Sequence, residues 1–235
     1  MQGTFNERLN SANEQIDINN SEFIGDYYSK LKTAMDSISS TELGEIVSVL
    51  KHAAANHKMI FICGNGGSAA TASHMACDLA KGTRIPNFPY FRVICLNDSM
   101  AQLSAWSNDT NYDNSFSGQL EGLGQPGDIL ITISGSGNSP NVLSAARTAT
   151  VLGMTNIGFV GFQGGKLKNL VDYSIIIPAN AIEQVEDVHM SLVHSIATAL
   201  RQSIRATLAT KSESETRTIT GKEFPVPSDL VTAAR

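Results

Sequence analysis

Two short loops carry the residue types suited to holding a phosphate. Gly64-Asn65-Gly66-Gly67-Ser68 and Ser134-Gly135-Ser136-Gly137-Asn138-Ser139 each follow a short apolar run and precede a helical pattern. At such a junction, backbone N–H groups and serine hydroxyls can surround an anion at the start of a helix. Glycine-rich turns occur in any strand–helix fold, so either loop alone is a weak signal and the two together a stronger one. Neither contains Gly-Lys-Ser/Thr and neither fits GxGxxG, so nucleotide-binding loops are not indicated. The expected anion is the phosphate of a small molecule.

A second constellation has the chemistry of a metal site. His74 and Asp78 lie four residues apart, which puts an imidazole and a carboxylate one turn apart on one helix face. Alone, that pair is more often an ordinary hydrogen-bonded one. The last periodic segment adds Glu183, Glu186, Asp187, His189 and His194 in otherwise apolar surroundings. Buried polar groups need partners, and two histidines with two carboxylates can satisfy one another around a divalent ion, zinc being favoured by imidazole. Helix phase leaves Glu186 and Asp187 as alternatives, with Asp187 closer in angle to His194. His189 points elsewhere and reads as a surface or interface residue. His52 and His57, at the end of a helix, suit its dipole and carry no site signal. Asn108-Asp109 is, by itself, a turn dipeptide.

The elements that must position these residues are strands alternating with helices. Apolar runs at 58–63, 91–96, 128–134, 155–160 and 174–177 read as strands, two of them ending in the Gly/Ser loops. Runs without strict alternation suit parallel strands covered on both faces. The expected fold is therefore an α/β three-layer sandwich with a mainly parallel five-stranded sheet. Two helices should precede it, one from Phe23 and one after a capping pattern at Thr41-Glu42. A helix should run from Ser68 to about Lys81, and a long closing helix from Ile182 to about Ala209. The division expected is a polar segment at 1–20, one domain at 21–210, and an extension at 211–235, mobile or packed on a neighbouring subunit.

Composition bounds the function. The 235 residues are 42% hydrophobic and 17% charged, enough for a core, and the net charge is −5. An acidic chain without Lys/Arg runs argues against nucleic acid. No apolar stretch approaches a membrane span, and the start has no signal-peptide pattern. Cys63, Cys77 and Cys95 lie in apolar segments without CxxC spacing, so neither a disulfide framework nor a cysteine zinc site is indicated. A cytoplasmic protein is expected.

Cys63-Gly64-Asn65-Gly66-Gly67-Ser68, His74-xxx-Asp78, Asn108-Asp109, Gly127-Asp128-Ile129-Leu130, Ser134–Ser139 and Glu186-Asp187-Val188-His189 with His194 occur in that order. Together they resemble the sugar isomerase (SIS) fold and, more narrowly, the phosphoheptose isomerase group, over about residues 21 to 205. The resemblance implies an aldose–ketose isomerase converting sedoheptulose 7-phosphate to a D-glycero-D-manno-heptose 7-phosphate through an enediol, or acting on a related ketose phosphate. It implies Asn65, Gly66, Gly67, Ser68, Asn108, Asp109, Ser134, Gly135, Ser136, Ser139 and Glu186 as substrate contacts. It places a zinc set on His74, Asp78, Glu186 and His194, with Asp78 as the carbon base and His194 as the oxygen acid/base. It also implies a homotetramer with pockets completed across subunits.

Three positions depart from the group's pattern. Asp78 stands for a longer Glu, Glu186 for a neutral Gln, and Gly135 for the usual Thr. The other reading is a non-catalytic SIS protein, a sugar-phosphate sensor or an adaptor of the replication-initiation-partner type. Retention of two histidines with two acidic residues favours chemistry.

Overall fold

The computed structural model describes residues 5–220, with side chains from 20 to 210. Helices α1 (Phe5–Asp36) and α2 (Ser40–Ala55) precede β1 (Met59–Gly64), and α3 (Gly67–Cys77) follows it. Next come β2 (Arg92–Cys95), α4 (Met100–Asp109), α5 (Ser117–Leu123), β3 (Ile129–Ser134) and α6 (Pro140–Val151). The chain then forms β4 (Thr155–Gly161), β5 (Tyr173–Ile177) and α7 (Ile182–Thr220). All strand pairs are parallel, in the order β2-β1-β3-β4-β5.

The strand sequences explain why helices cover both sides. Successive side chains on a strand point to opposite faces, and all of Ile60–Gly64 is buried. Ile60 and Ile62, with Ile131 of β3, pack on Ile46 and Leu50 of α2, Met75 of α3, and Val188 and Leu192 of α7. Phe61 and Cys63, with Leu130, pack on Phe116 and Leu120 at α5 and on Val142 and Ala146 of α6. Phe61 is 1% exposed, so Phe61→Ala would open the second core at a cost of about 3–5 kcal/mol.

Several boundaries differ from the sequence expectation. The first helix starts at Phe5, not Phe23: Phe5, Leu9, Ala12 and Ile16 recur at helical spacing in phase with Phe23, a sparse stripe that the surrounding Asn, Gln and Ser obscure. The cap of α2 is Ser39, whose side chain accepts from Glu42 N at 3.2 Å, two residues before the expected Thr41. The closing helix runs past Ala209 to Thr220, through Glu, Lys and Arg, residue types with good helix propensity. Residues 221–235, and with them the rest of the expected extension, lie outside the described residues. Past Cys77, α3 widens into a single π-helical turn, Asp78–Gly82, a feature that clusters at functional sites.

Candidate active site

The chain leaves β1 toward β2 on one side and enters β3 on the other, so the strand order reverses between β1 and β3. In open α/β sheets the crevice at the carboxyl ends of such a pair is where ligands bind. The two Gly/Ser loops are the continuations of these two strands.

The loop after β1 is held by backbone closeness and by asparagines. A Cβ at Gly64 would stand 2.7 Å from Ser68 O and 2.8 Å from Ile133 O, so no side chain fits there. Gly66, at φ 56°, makes the turn into α3 in a conformation that favours glycine. Asn97, just after β2, donates to Gly64 O at 2.8 Å and accepts from Gly64 N at 3.2 Å. Asn65 donates to Asn141 Oδ1 at 2.8 Å, and its own Oδ1 accepts from Asn141 Nδ2 at 2.9 Å and from Tyr112 Oη at 2.8 Å. Asn141 is buried in the first turn of α6, so this exchange ties the two loops together.

In the loop after β3, Ser134 Oγ accepts from Gly137 N and Ser136 Oγ accepts from Asn138 N, each at 3.2 Å. Hydroxyls used as acceptors keep their protons to donate to an anion. Ser139 is the N-cap of α6 and makes no capping bond, so its hydroxyl is uncommitted. Gly135 has its Cβ position filled by Ile182 Cδ1 from the start of α7. The missing threonine is thus matched by an isoleucine that occupies its place.

The metal-type residues meet where α3 faces α7. His74 Nε2 and His194 Nε2 are 3.0 Å apart, and His74 Nε2 lies 3.5 Å from Asp78 Oδ2. One ligand atom of each lies within 4.8 Å of the others, the one such group among the described residues. Two nitrogens bound to one tetrahedral zinc at about 2.0–2.1 Å would be about 3.3 Å apart, so the spacing and the His/His/carboxylate donors fit that ion. The His74 side chain is 44% exposed, leaving the group open to an incoming substrate.

The structure does not bring Glu186 into this group. Its carboxylate lies against Gly67, where a Cβ would collide with both of its oxygens. The first residues of a helix attract negative charge, which accounts for that position. Asp187, the alternative on helix phase, is turned away to accept from Tyr27 Oη of α1 at 2.5 Å, and this bond pushes Tyr27 up to about 12. Asn108 and Asp109 end α4, both exposed, with Asn108 donating to Asp109 at 2.9 Å.

His189 is a correction. It is fully buried, packed on Phe159, with neither ring nitrogen hydrogen-bonded. Burial pushes its imidazole down to about 4, and the Val160 backbone, outside hydrogen-bond geometry, offsets this little. Asn97, Tyr112 and Asn141 drew no attention in the sequence, since an asparagine beside a turn is commonplace and only the fold sets them on Gly64 and Asn65.

Comparison with known proteins places these features in a family context. The SIS domain family matches residues 26–161. A phosphoheptose isomerase of Bradyrhizobium is 33% identical over 178 residues, 76% of this chain and 89% of that protein. One from Paramagnetospirillum magneticum is 40% identical over 143 residues, 61% of this chain and 73% of that protein. The solved phosphoheptose isomerase of Francisella tularensis superposes with a TM-score of 0.72 at 26% identity, covering 80% of this chain and 98% of that one.

Proposed function

The chain belongs to the SIS domain family and, within it, to the phosphoheptose isomerases, and on that premise we propose that it converts sedoheptulose 7-phosphate to a D-glycero-D-manno-heptose 7-phosphate. The observation that carries this is the His74–Asp78–His194 group on α3 and α7, the first of which starts directly from a Gly/Ser loop at the switch point of the sheet. The relatives named above are isomerases, and so is this chain.

In this reading the phosphate is held by Asn65, Gly66, Gly67 and Ser68 of the first loop and by Ser134, Gly135, Ser136 and Ser139 of the second. Serine protons and first-turn amides supply the donors. Asn108 and Asp109 are assigned to the sugar hydroxyls. Asp78 takes the proton from C1 of the ketose, and the electron pair of that C–H bond forms the C1–C2 double bond as the C2 carbonyl oxygen takes a proton from His194. An enediol results. His194 then removes the proton on O1, C1 becomes the aldehyde carbon, and the proton returns to C2. Asp78 Oδ2 faces His74, which leaves Oδ1 for the carbon-bound proton.

His74, Asp78 and His194 would hold a zinc ion, with Glu186 in reach only after leaving Gly67. Bound there, zinc supplies positive charge that stabilises the oxygens of the enediolate. The phosphosugar is the partner of this site, and a homotetramer completes it. Phe23, Ile24 and Tyr28 of α1, at 70%, 54% and 64% exposure, form an apolar stripe that supports such packing. Among the described residues no helix is long and apolar enough to cross a membrane. The three cysteines are unpaired, which supports a reducing cytoplasm.

The test is the metal content of purified wild type, His74→Ala and His194→Ala, with isomerisation of sedoheptulose 7-phosphate measured on each. Stoichiometric zinc lost in both variants together with turnover is the expected result. A folded wild type that binds sugar phosphate without turning it over would overturn the catalytic assignment.

A further inference from the structure

Glu186 holds a charge outside the His74–Asp78–His194 group. It is half-buried on α7, and its carboxylate lies against the Cα of Gly67, the first residue of α3. The salt bridges among the described residues, Lys30–Asp26 and His74–Asp78, do not include it. What faces it is the beginning of an 11-residue helix. The first intrahelical-type bonds there run from Ala69 N and Ala70 N to Gly66 O, at 3.0 and 3.3 Å. The amides of Gly67 and Ser68 precede them, so helix geometry leaves these two N–H groups without a partner. Partial positive charge at a helix start draws a carboxylate as it draws a phosphate. Gly67 makes the seat possible, because any Cβ would occupy the space of the carboxylate.

We propose that Glu186 is a resident anion beside the phosphate site, whose charge repels any phosphate taking the first turn of α3 and so sets how tightly that loop holds one. The inference rests on the reading of the two loops as a phosphate site. Its physical content is like-charge repulsion: a phosphate at the Gly67 and Ser68 amides would bring two like charges within about 5–6 Å in a half-exposed setting, a penalty on the order of tenfold in affinity. The penalty acts on any phosphate alike. A substrate offsets it by contacts elsewhere, at the serine hydroxyls and the sugar, and inorganic phosphate cannot. Glu186 therefore weakens both by the same factor, and a phosphosugar, which starts with more contacts, stays bound at concentrations where free phosphate leaves.

The experiment is titration calorimetry of inorganic phosphate into the full chain after chelator treatment, so that no metal contributes. Wild type is compared with Glu186→Gln, which keeps the shape and removes the charge, and with Glu121→Gln, an exposed position on α5 that changes the net charge equally. Glu186→Gln should bind phosphate about tenfold more tightly at low salt, with the gap closing at high salt, while Glu121→Gln matches wild type. Equal affinity of wild type and Glu186→Gln, or equal tightening by both variants, overturns the role of Glu186 and leaves the phosphate site standing. Absence of phosphate binding in every protein removes the site itself, and the functional reading falls with the inference.

Discussion

Asn65 and Asn141 exchange a reciprocal pair of amide hydrogen bonds, 2.8 and 2.9 Å long, between the loop after β1 and the first turn of α6. A pair of this kind fixes which way each amide faces, since the carbonyl of one must meet the NH2 of the other. Asn65 then offers its second N–H, and no acceptor, to whatever enters the crevice. Asn141→Leu would strand the Asn65 amide beside a buried apolar group. It should lower the unfolding free energy by about 1–3 kcal/mol in urea denaturation. Tyr112→Phe removes an exposed partner of the same oxygen and should leave the urea midpoint close to wild type. It should still raise KM for the sugar phosphate severalfold, because Asn65 loses one of the three bonds that hold it. Equal urea midpoints for Asn141→Leu and wild type would show that the exchange is not a structural tie.

Asp78 is one methylene shorter than glutamate, and the π-helical turn that begins at this residue sets where its carboxylate lands beside His74. Asp78→Asn keeps the shape and removes the carboxylate assigned above as the base. It should lower kcat by about 10²–10⁴-fold with the melting temperature little changed, as expected for a proton-transfer group that is partly exposed. A kcat within about threefold of wild type would move the base elsewhere.

Gly135 and Ile182 should behave as a coupled pair. Because Ile182 Cδ1 fills the Cβ position of Gly135, Gly135→Thr should cost about 1–3 kcal/mol through overpacking. Ile182 is 41% exposed, so trimming it to Ala is cheap and should restore most of the loss in the double variant. Thermal denaturation of the four proteins of the cycle gives the coupling directly, and additivity would show that the two side chains do not meet.

His189 links stability to acid. Burial holds it at about 4, against 6.5 for a free imidazole. Between those values the unfolded chain binds a proton that the folded chain refuses. Its contribution is therefore complete above 6.5 and is lost as pH falls to about 4, by up to about 3 kcal/mol. In urea denaturation at about pH 7.5 and about pH 5, wild type should lose more stability than His189→Leu, which has no proton to take up. The same loss in both proteins would assign the acid sensitivity to other groups.

The sheet and both Gly/Ser loops were legible in the chain because they are local. A strand buried on both faces must be a continuous apolar run, as in Met59–Cys63, and a turn bonded closely to its neighbours must be glycine, as at Gly64 and Gly66. His74 and Asp78 were legible for the same reason, since four residues on a helix is one turn. Partners distant in sequence were not. Whether Glu186 or Asp187 faces the site depends on where α1 and α3 lie against α7, and the tertiary structure places Tyr27 on Asp187 and Gly67 on Glu186. His189 looked like a surface residue from helix phase, yet α7 is enclosed deeply enough between the sheet and α1 and α2 to bury it against Phe159. The 3.0 Å approach of His74 to His194 spans 120 residues. Periodicity within one segment states which residues share a face, and only the packing of segments decides what that face meets.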